Sequence, residues 1–334
     1  MQPSGVLHLG NWQGALVNWV QLQDRYRCFF MVADWHALTT LYQHTEELPA
    51  LTREMVIDWL AAGLDPERSV IFPQSWVSQH AELALLLGMV TPLGWLERVP
   101  SYKEKLKELA QREIHSYGFL GYPVLQTADI ALYRARWVPV GLDQVPHLEL
   151  SREVVRRFNG LYPRARLVEP EPLLTEAKVL PGLDGRKMSK SYGNTLSLRE
   201  TPEAVRSKVA TMVTDPARVR RRDPGHPEVC PVFALHRVFS APATVAEVEE
   251  GCRGATLGCV DCKALLSGAI NQALDPIRER RDYWSRHAQT VGEILHHGAT
   301  QARKEAEATM QGVREAMALD PMRLMSETQP SVGG

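Results

Sequence analysis

Two short segments of the chain carry residue types suited to binding and moving phosphate. The first phosphate segment, residues 4–11 (SGVLHLGN), opens a helix, and Gly5 and Gly10 allow backbone to approach a ligand closely. The unpaired N–H groups of a helix start favour phosphate, and His8 and Asn11 are spaced to face it together. Alone the pattern is weak, because a histidine at a helix start is more often a cap or a surface residue.

The second phosphate segment, residues 185–191 (GRKMSKS), carries Lys187 and Lys190 among small residues. A flexible cationic surface loop is the ordinary interpretation of such a stretch. The chemical interpretation is a mobile loop whose ammonium groups neutralise the charge of a departing polyphosphate.

Four of the five cysteines fall in one part of the chain, with the spacing C-x21-C-x6-C-x2-C: Cys230, Cys252, Cys259 and Cys262. Four thiolates are the usual ligand set of zinc or of an iron–sulfur cluster, so this pattern predicts a metal centre. The spacing by itself favours zinc. The fifth, Cys28, lies in an apolar run and is interpreted as packing.

The elements that must position these residues alternate in the first half of the chain. Apolar runs predict strands at 28–33, 69–72 and 138–140, and apolar periodicity predicts helices at 11–24 and 54–62. Gly63 is expected to cap the second of these helices. Strands alternating with helices indicate a doubly wound, parallel, Rossmann-like α/β sheet.

After residue 194 the pattern is mostly helical, with helices expected at 201–212, 243–253, 263–274, 286–297 and 300–318. The predicted organisation is a sheet domain at 1–196, an all-α domain at 197–322 and a tail at 323–334. Residues 1–5 resemble the glycine-ended turn that normally follows a strand.

Composition narrows the class of protein. The 334 residues have a formal charge of −1, which excludes a protein that grips nucleic acid by global positive charge but permits a local basic patch. No apolar run reaches a membrane span and no signal peptide is visible, so we expect a cytoplasmic protein without membrane association. Five cysteines are too few for a disulfide scaffold.

Together, the two phosphate segments resemble the paired HIGH and KMSKS signatures of class I aminoacyl-tRNA synthetases, as His8-Leu9-Gly10-Asn11 and Lys187-Met188-Ser189-Lys190-Ser191. Further segments narrow the resemblance to bacterial tryptophanyl-tRNA synthetases: residues 2–5 (QPSG), 34–39 (DWHALT), 128–130 (ADI), 138–144 (VPVGLDQ), 147–150 (HLEL) and 156–159 (RRFN). The resemblance extends from Gln2 to about Met317.

The resemblance implies activation of L-tryptophan by ATP, release of pyrophosphate and transfer of the aminoacyl group to tRNA(Trp). Positioning and charge stabilisation would do most of this work. The implied catalytic residues are His8, Lys105, Lys187, Lys190 and Ser191. The implied ATP-binding residues are Gln2, Ser4, His8, Gly10, Asn11, Gly141, Asp143, Gln144, Lys187, Met188, Lys190 and Ser191. Mg²⁺ would accompany ATP, held mainly by its phosphates.

The resemblance also implies an amino-acid pocket in which Asp129 accepts the indole N–H. The other implied tryptophan-binding residues are His36, Tyr122, Gln126, Val138, Val140 and Gln144, with Gln2 beside the substrate's charged groups. Gln126 stands where many family members have Met, which changes the expected pocket lining. Without the resemblance, Asp129 is simply an ion-pairing or capping residue of a helix.

A subset of these synthetases carries a similar cysteine set that binds a [4Fe–4S] cluster, so the resemblance favours that cluster over zinc. The basic run Arg218, Arg220, Arg221 and Arg222 becomes a candidate tRNA contact, and so does the run at 278–281. The helical domain would bind the anticodon. The family pattern is a homodimer.

Three alternative functions are consistent with parts of the sequence. A tyrosine enzyme of the same fold is disfavoured by the pocket segments. A small-molecule nucleotidyltransferase would not explain the helical domain or the cysteines. A non-catalytic RNA-binding paralogue is disfavoured because both phosphate segments are intact, including Lys187 and Lys190.

Overall fold

The computed structural model describes residues 1–99, 116–174 and 179–319. The strands are β1 (Cys28–Val32), β2 (Ser69–Pro73), β3 (Trp137–Val140) and β4 (Glu171–Leu174). The helices of the first half are α1 (residues 9–22), α2 (Asp34–Leu41), α3 (Leu48–Ala62), α4 (Gln79–Val90), α5 (Leu93–Glu97), α6 (Tyr117–Ala131) and α7 (Val145–Leu161). Those of the second half are α8 (Pro202–Thr211), α9 (Pro231–Phe239), α10 (Pro242–Arg253), α11 (Cys259–Arg286) and α12 (Ala288–Ala316).

The strands form two parallel pairs. β1 pairs with β2 from Cys28 opposite Ser69 to Val32 opposite Pro73, and β3 pairs with β4. Parallel pairs with helices between the strands confirm the predicted α/β architecture. β4 was not expected, because its sequence, EPLL, is short and has no period that distinguishes a strand from a loop.

α1 begins at the first phosphate segment and is not a uniform helix. It runs as an α-helical turn at Leu9–Asn11, a π-helical stretch at Trp12–Leu16 and an α-helix at Val17–Leu22. The prediction of 11–24 was therefore correct in type and displaced by two residues at each end. Periodicity detects where apolar residues recur, and helix ends depend on caps and packing.

The structure confirms the cap at Gly63, which has a left-handed φ of 112° that ends α3. The last three predicted helices, at 263–274, 286–297 and 300–318, were wrong in their boundaries. Two long helices, α11 and α12, replace them, and Pro276 lies inside α11. The two helices meet at His287, whose ψ of 46° breaks the helical course.

α12 packs back onto the strand-containing half of the molecule. Gly298 lies so close to β2 that a Cβ there would be 2.0 Å from the Ile71 carbonyl oxygen. Further along, Thr309 Oγ1 donates a hydrogen bond of 2.7 Å to the Leu132 carbonyl. Apolar residues of α12 share a core with those of β2, α4, α6 and α7. The second half of the chain thus covers the sheet as well as extending beyond it.

The first residue pairs with the end of β1. Met1 N donates 2.7 Å to the Met31 carbonyl, and Ala33 N donates 2.8 Å to the Met1 carbonyl. These bonds bring the turn at residues 1–5 to the carboxyl end of the strand, where parallel sheets bind their ligands. In the part of the chain that the structure describes, no helix is long and apolar enough to span a membrane.

Candidate active site

The two phosphate segments lie side by side. Leu9 N donates 2.9 Å to the Leu196 carbonyl and Leu198 N donates 3.0 Å to the Leu7 carbonyl. His8 faces Ser197 between these bonds as an antiparallel bridge. The backbone that follows the second segment is therefore hydrogen-bonded to the first, which fixes the distance between their side chains.

His8 precedes α1 and is buried against the second segment. Its backbone N–H donates 3.1 Å to Asn11 Oδ1, while its buried ring Nδ1 has no hydrogen-bond partner among the described residues. Burial, and next the charge of Lys190, lower the His8 pKa to about 4. A neutral imidazole with a free nitrogen suits contact with a ligand. A Cβ at Gly10 would lie 3.0 Å from this ring, so glycine leaves the ring its space.

Lys190 approaches the glycine turn of the first segment. A Cβ at Gly5 would lie 3.7 Å from Lys190 Nζ, and Gly5 has a φ of 114° that favours glycine. Burial lowers the Lys190 pKa, the charge of Asp58 raises it and that of Arg199 lowers it. Met188 is buried beside Gly10. A partly desolvated ammonium group next to a neutral histidine makes a site for an anion.

The remaining predicted residues of the second segment, Lys187 and Ser191, are exposed. Sequence reasoning missed the residue that shapes this loop, Asn194. Its Oδ1 accepts 2.8 Å from Ser189 N, and its Nδ2 donates 2.6 Å to Asp184 Oδ1 and 3.2 Å to the Lys187 carbonyl. Its position directly after the glycine that ends the loop was the available signal.

A cavity of about 780 Å³ is lined by residues of both β1 and β3. It contains seven of the residues expected to hold tryptophan or ATP: Gln2, His36, Tyr122, Gln126, Asp129, Val138 and Gln144. Val140 lies two residues further along β3 and is not part of its lining. Phe72, Ile130 and Tyr133 add apolar wall. A concave apolar space with a few polar groups is typical of a small-molecule site.

Three side chains contact the Asp129 carboxylate in the wall of this cavity. Oδ1 accepts 2.7 Å from Gln74 Nε2 and lies 2.7 Å from His80 Nδ1, while Oδ2 lies 2.7 Å from His36 Nε2. Burial opposes ionisation, but the interactions with His36, and after them those with His80, outweigh it and hold the Asp129 pKa well below its usual range. Asp129 is therefore an ionised acceptor on the cavity wall.

Gln74, His80 and Tyr133 were not identified from the sequence. Gln74 is the first residue after β2, at the carboxyl end where ligands of parallel sheets bind, and this rule could have identified it. His80 and Tyr133 carry no such signal, since one begins α4 and the other follows α6.

Residues 141–144 follow β3 at the same sheet edge. Gly141 leads into a 3₁₀ turn at Leu142–Gln144, and Tyr122 OH lies 2.8 Å from His147 Nε2 in the adjoining helix. Ser4 is exposed in the turn closed by its N–H bond of 2.9 Å to the Gln2 carbonyl. Lys105 and the side chain of Asp143 lie outside the described residues.

The four clustered cysteines line one cavity in the helical part of the chain, walled by Val232, Phe233, Val248 and Leu257. Burial, and then the other three cysteines, raise the Cys262 pKa to about 12, and burial raises that of Cys252. Thiols that oppose one another's ionisation in this way need a cation to become thiolates. The donor set thus fits a metal centre.

No group of three or more potential ligands is close enough to hold a single metal ion among the described residues. A tetrahedral zinc site brings four sulfurs within about 4 Å of one another, given Zn–S bonds of about 2.3 Å. The four cysteines share a cavity without forming such a group among the described residues.

The basic residues divide into buried and exposed groups. Arg218 was expected to contact tRNA, but it is buried at the cysteine cavity and donates 2.8 Å to the Leu257 carbonyl, 3.1 Å to the Arg221 carbonyl and 3.6 Å to Cys252 Sγ. Its guanidinium is thus engaged within the fold. Arg220, Arg221 and Arg222 are exposed.

The second basic run is also engaged within the fold, against expectation. Arg278 bonds to the Glu200 carbonyl and to Asn271 Oδ1. Arg280 donates 2.6 Å to the Ala61 carbonyl, and Arg281 pairs with Asp58. These side chains tie α11 to α3 and α8, because a long helix with inward-facing arginines can reach carbonyls that lack helical partners.

Comparison with known proteins identifies the family of this chain. Residues 1–275 match the family of tRNA synthetases class I (W and Y). The tryptophan–tRNA ligase of Thermotoga maritima is 50% identical, over 96% of this chain and 98% of its own length. The tryptophan–tRNA ligase of Ralstonia nicotianae is 45% identical, over 96% of this chain and 97% of its own length. A crystal structure of tryptophanyl-tRNA synthetase from Campylobacter jejuni, complexed with ADP and tryptophan, superposes on this chain with a TM-score of 0.86. The two chains are 34% identical, and the superposition covers 96% of this chain and 98% of the other.

The chain therefore belongs to the class I tRNA synthetases of the tryptophan and tyrosine family. The fold and the paired phosphate segments agree with this class. Within it, the chain is an enzyme with tryptophan–tRNA ligase activity, joining L-tryptophan to tRNA(Trp) at the expense of ATP.

Proposed function

We propose that the two phosphate segments hold ATP while tryptophan carboxylate attacks its α-phosphate. The observation that carries this assignment is that Lys190 lies near both His8 and the glycine turn of the first phosphate segment. The neutral His8 ring and the start of α1 donate to phosphate oxygens, with Gln2, Ser4, Gly10 and Asn11 around them.

The second segment acts on the leaving group. The P–O bond to the pyrophosphate breaks as the carboxylate oxygen forms its bond to phosphorus, and Lys190 and Lys187 offset the charge that develops on pyrophosphate. Met188 packs the loop, and Ser191 and Lys105 would add donors. Gly141, Asp143 and Gln144 would hold adenosine and the substrate ammonium. Mg²⁺ carried by the ATP phosphates would supply further neutralisation.

Tryptophan is assigned to the large cavity, with its indole N–H on Asp129. A carboxylate offers about four acceptor sites, and donors among the described residues occupy three on Asp129, two on Oδ1 and one on Oδ2. The remaining site on Oδ2 accepts the indole donor. His36, Tyr122, Gln126, Val138 and Gln144 surround the substrate. The apolar walls exclude polar amino acids.

ATP–pyrophosphate exchange, with each amino acid offered in turn and without tRNA, tests this site. We expect exchange with tryptophan alone. Exchange with tyrosine would overturn the pocket assignment around Asp129 while leaving the phosphate segments in place. No exchange from folded protein would overturn the catalytic assignment of His8 and Lys190.

We propose further that Cys230, Cys252, Cys259 and Cys262 hold a [4Fe–4S] cluster. Support comes from the shared cavity, its apolar walls and the raised thiol pKa values. Arg218, with a buried positive charge at Cys252 Sγ, favours thiolates there. The cluster would stiffen this part of the helical region. Anaerobically purified protein should be brown, with absorbance near about 400 nm; colourless protein with stoichiometric zinc would establish the alternative metal.

The helical region, residues 197–322, is assigned to the anticodon arm of tRNA(Trp), and residues 1–196 to catalysis, with 323–334 as a tail. The exposed run at 220–222 supports a phosphate-binding surface. Replacing these three arginines with alanine should weaken tRNA charging several-fold and leave amino-acid activation unchanged, because ATP and tryptophan bind elsewhere. Equal loss of both steps would contradict this assignment.

A homodimer is supported by an apolar surface on α4 and its neighbours. Met89 is 71% exposed, Tyr117 79%, Leu93 62% and Leu85 57%. Tyr117 OH lies close to Gly88, so the start of α6 and the end of α4 form one surface. Contiguous exposed apolar side chains of this kind mark an interface, and a second copy of the chain is the proposed partner.

A further inference from the structure

A chain of hydrogen bonds runs away from the cavity behind Asp129. His80 is fully buried, with Nδ1 2.7 Å from Asp129 Oδ1 and Nε2 2.7 Å from Tyr133 OH. The Tyr133 ring stacks on Phe29, with centroids 4.6 Å apart and planes at 22°. Both ends of the histidine are thus held, and its ring cannot turn without breaking two bonds.

The protons of this chain can be assigned from the chemistry of its members. An ionised carboxylate only accepts, so His80 Nδ1 must carry a proton and donate it to Asp129. When His80 is neutral with its proton on Nδ1, its Nε2 is an acceptor and receives a hydrogen bond from the Tyr133 hydroxyl. Burial, and next the charge of Asp129, raise the Tyr133 pKa far above its usual range, so this hydroxyl keeps its proton to donate.

We propose that Tyr133 and His80 are positioning residues for substrate selection: Tyr133 fixes the His80 tautomer, and His80 holds Asp129 as an acceptor aimed at a ring N–H of the substrate. This inference rests on the proposed contact between Asp129 and the indole. Neither side chain is assigned a contact with a reacting atom.

Selection follows from the number of acceptor sites left. With Gln74 and His80 on Oδ1 and His36 on Oδ2, the carboxylate has one site for the substrate. A substrate with a ring N–H donates to the remaining acceptor site of Asp129, while an analogue without a ring N–H leaves that buried acceptor unpaired. If His80 took the other tautomer, its unprotonated Nδ1 would face Oδ1, and repulsion between two acceptors would displace the carboxylate.

The test compares tryptophan with its benzothiophene analogue, in which sulfur replaces the ring N–H, in pyrophosphate exchange. Tyr133→Phe should lower the ratio of kcat/KM for tryptophan to that for the analogue by about tenfold, mainly through the KM for tryptophan. A purely structural loss would lower both substrates together and leave this ratio unchanged. Tyr26→Phe, which also lines the cavity, is the matched control and should keep the ratio within about twofold.

A second variant tests the tautomer directly. In His80→Asn an amide N–H can occupy the place of Nδ1–H and donates without help from Tyr133, so most of the selectivity should remain. Adding Tyr133→Phe to His80→Asn should change the ratio of kcat/KM for tryptophan to that for the analogue only a little. If Tyr133 acted independently of His80, the effects of the two substitutions on this ratio would multiply.

Asp129→Asn separates the two proposals. If it removes the selectivity and Tyr133→Phe does not, the positioning role is overturned and the Asp129 contact stands. If Asp129→Asn keeps full selectivity, the proposed contact is overturned, and the positioning role with it. Loss in both Asp129→Asn and Tyr133→Phe, with retention in His80→Asn, is the expected result.

Discussion

The surroundings of His8 determine the charge of its side chain. Burial and the charge of Lys190 lower its pKa to about 4, so the ring is neutral at physiological pH. The positive charge of the proposed phosphate site therefore resides on Lys190 and the start of α1, and the proposed contribution of His8 is a hydrogen bond. A doubly protonated ring would add a like charge beside Lys190.

The same pKa makes a prediction about stability. Because the folded value of about 4 lies below the unfolded value of 6.5, the unfolded chain binds a proton first as the pH falls. His8 therefore lowers the free energy of unfolding progressively between pH 6.5 and about 4, and has no such effect above pH 6.5. Urea unfolding of His8→Gln should lose less stability than the wild type between pH 7.5 and 5.

His44→Gln serves as the control, since His44 is exposed. The free energy of unfolding of His44→Gln should change with pH as that of the wild type does across the same range. Parallel losses in wild type and His8→Gln would show that His8 is not held neutral in the fold.

At the scale of elements, α12 depends on one position to lie against the sheet. Gly298 meets the backbone of Ile71 so closely that β2 and the helix have no room for a side chain between them. This close approach lets the small and apolar residues of α12 share a core with Phe72 and Leu83.

Gly298→Ala should destabilise the protein by about 3 kcal/mol or more, because the clash is with backbone that cannot rotate away. Gly292→Ala, on the exposed side of the same helix with open space around it, should raise stability by up to about 1 kcal/mol. Urea midpoints and slopes give both values. Similar behaviour of the two variants would contradict the close approach.

At the scale of the whole molecule, two acidic residues of α3 join the catalytic and helical regions. Asp58, fully buried, pairs with Arg281 of α11 at 2.8 Å and with Arg199 at 3.3 Å. Glu54, one turn earlier, pairs with the same two arginines. Arg199 lies just beyond Leu198, whose backbone bonds to the first phosphate segment, so this cluster anchors the site to α11.

Asp58→Ala should lower the free energy of unfolding by about 3–5 kcal/mol, because two arginines lose a buried partner. Glu203→Ala breaks an exposed pair with Arg206 and should cost about 1 kcal/mol or less. Chemical denaturation measures both. Equal costs would mean that burial of Asp58 contributes nothing to this junction.

The apolar surface on α4 gives a prediction about assembly. Met89→Glu places a charge in the proposed interface and should convert a dimer to a monomer in sedimentation experiments, without loss of helical content. Val219→Glu, at another exposed apolar position, should leave the assembly unchanged. A monomeric wild type, or a dimer that persists in Met89→Glu, would contradict the proposed interface.

Much of the fold and of the candidate site could be predicted because it depends on local order. The apolar runs at 28–33 and 69–72 predicted strands and Gly63 predicted a helix end, and β1, β2 and the end of α3 confirm these predictions. The paired phosphate segments were visible because glycine, histidine and lysine at fixed spacing are uncommon together. Helix boundaries after residue 263 were not visible, since periodicity does not show where two long helices change direction.

The sequence by itself determined the alternation of strands and helices, the two phosphate segments and the cysteine set, because each is a property of neighbouring residues. Only the tertiary structure decided how Gln74, His80 and Tyr133 surround Asp129, and that Arg218 and Arg281 turn inward rather than toward RNA. These contacts join residues from 39 to 223 positions apart. When two charged residues are so far apart along the chain, tertiary packing determines whether they meet. The order of residues does not show this packing.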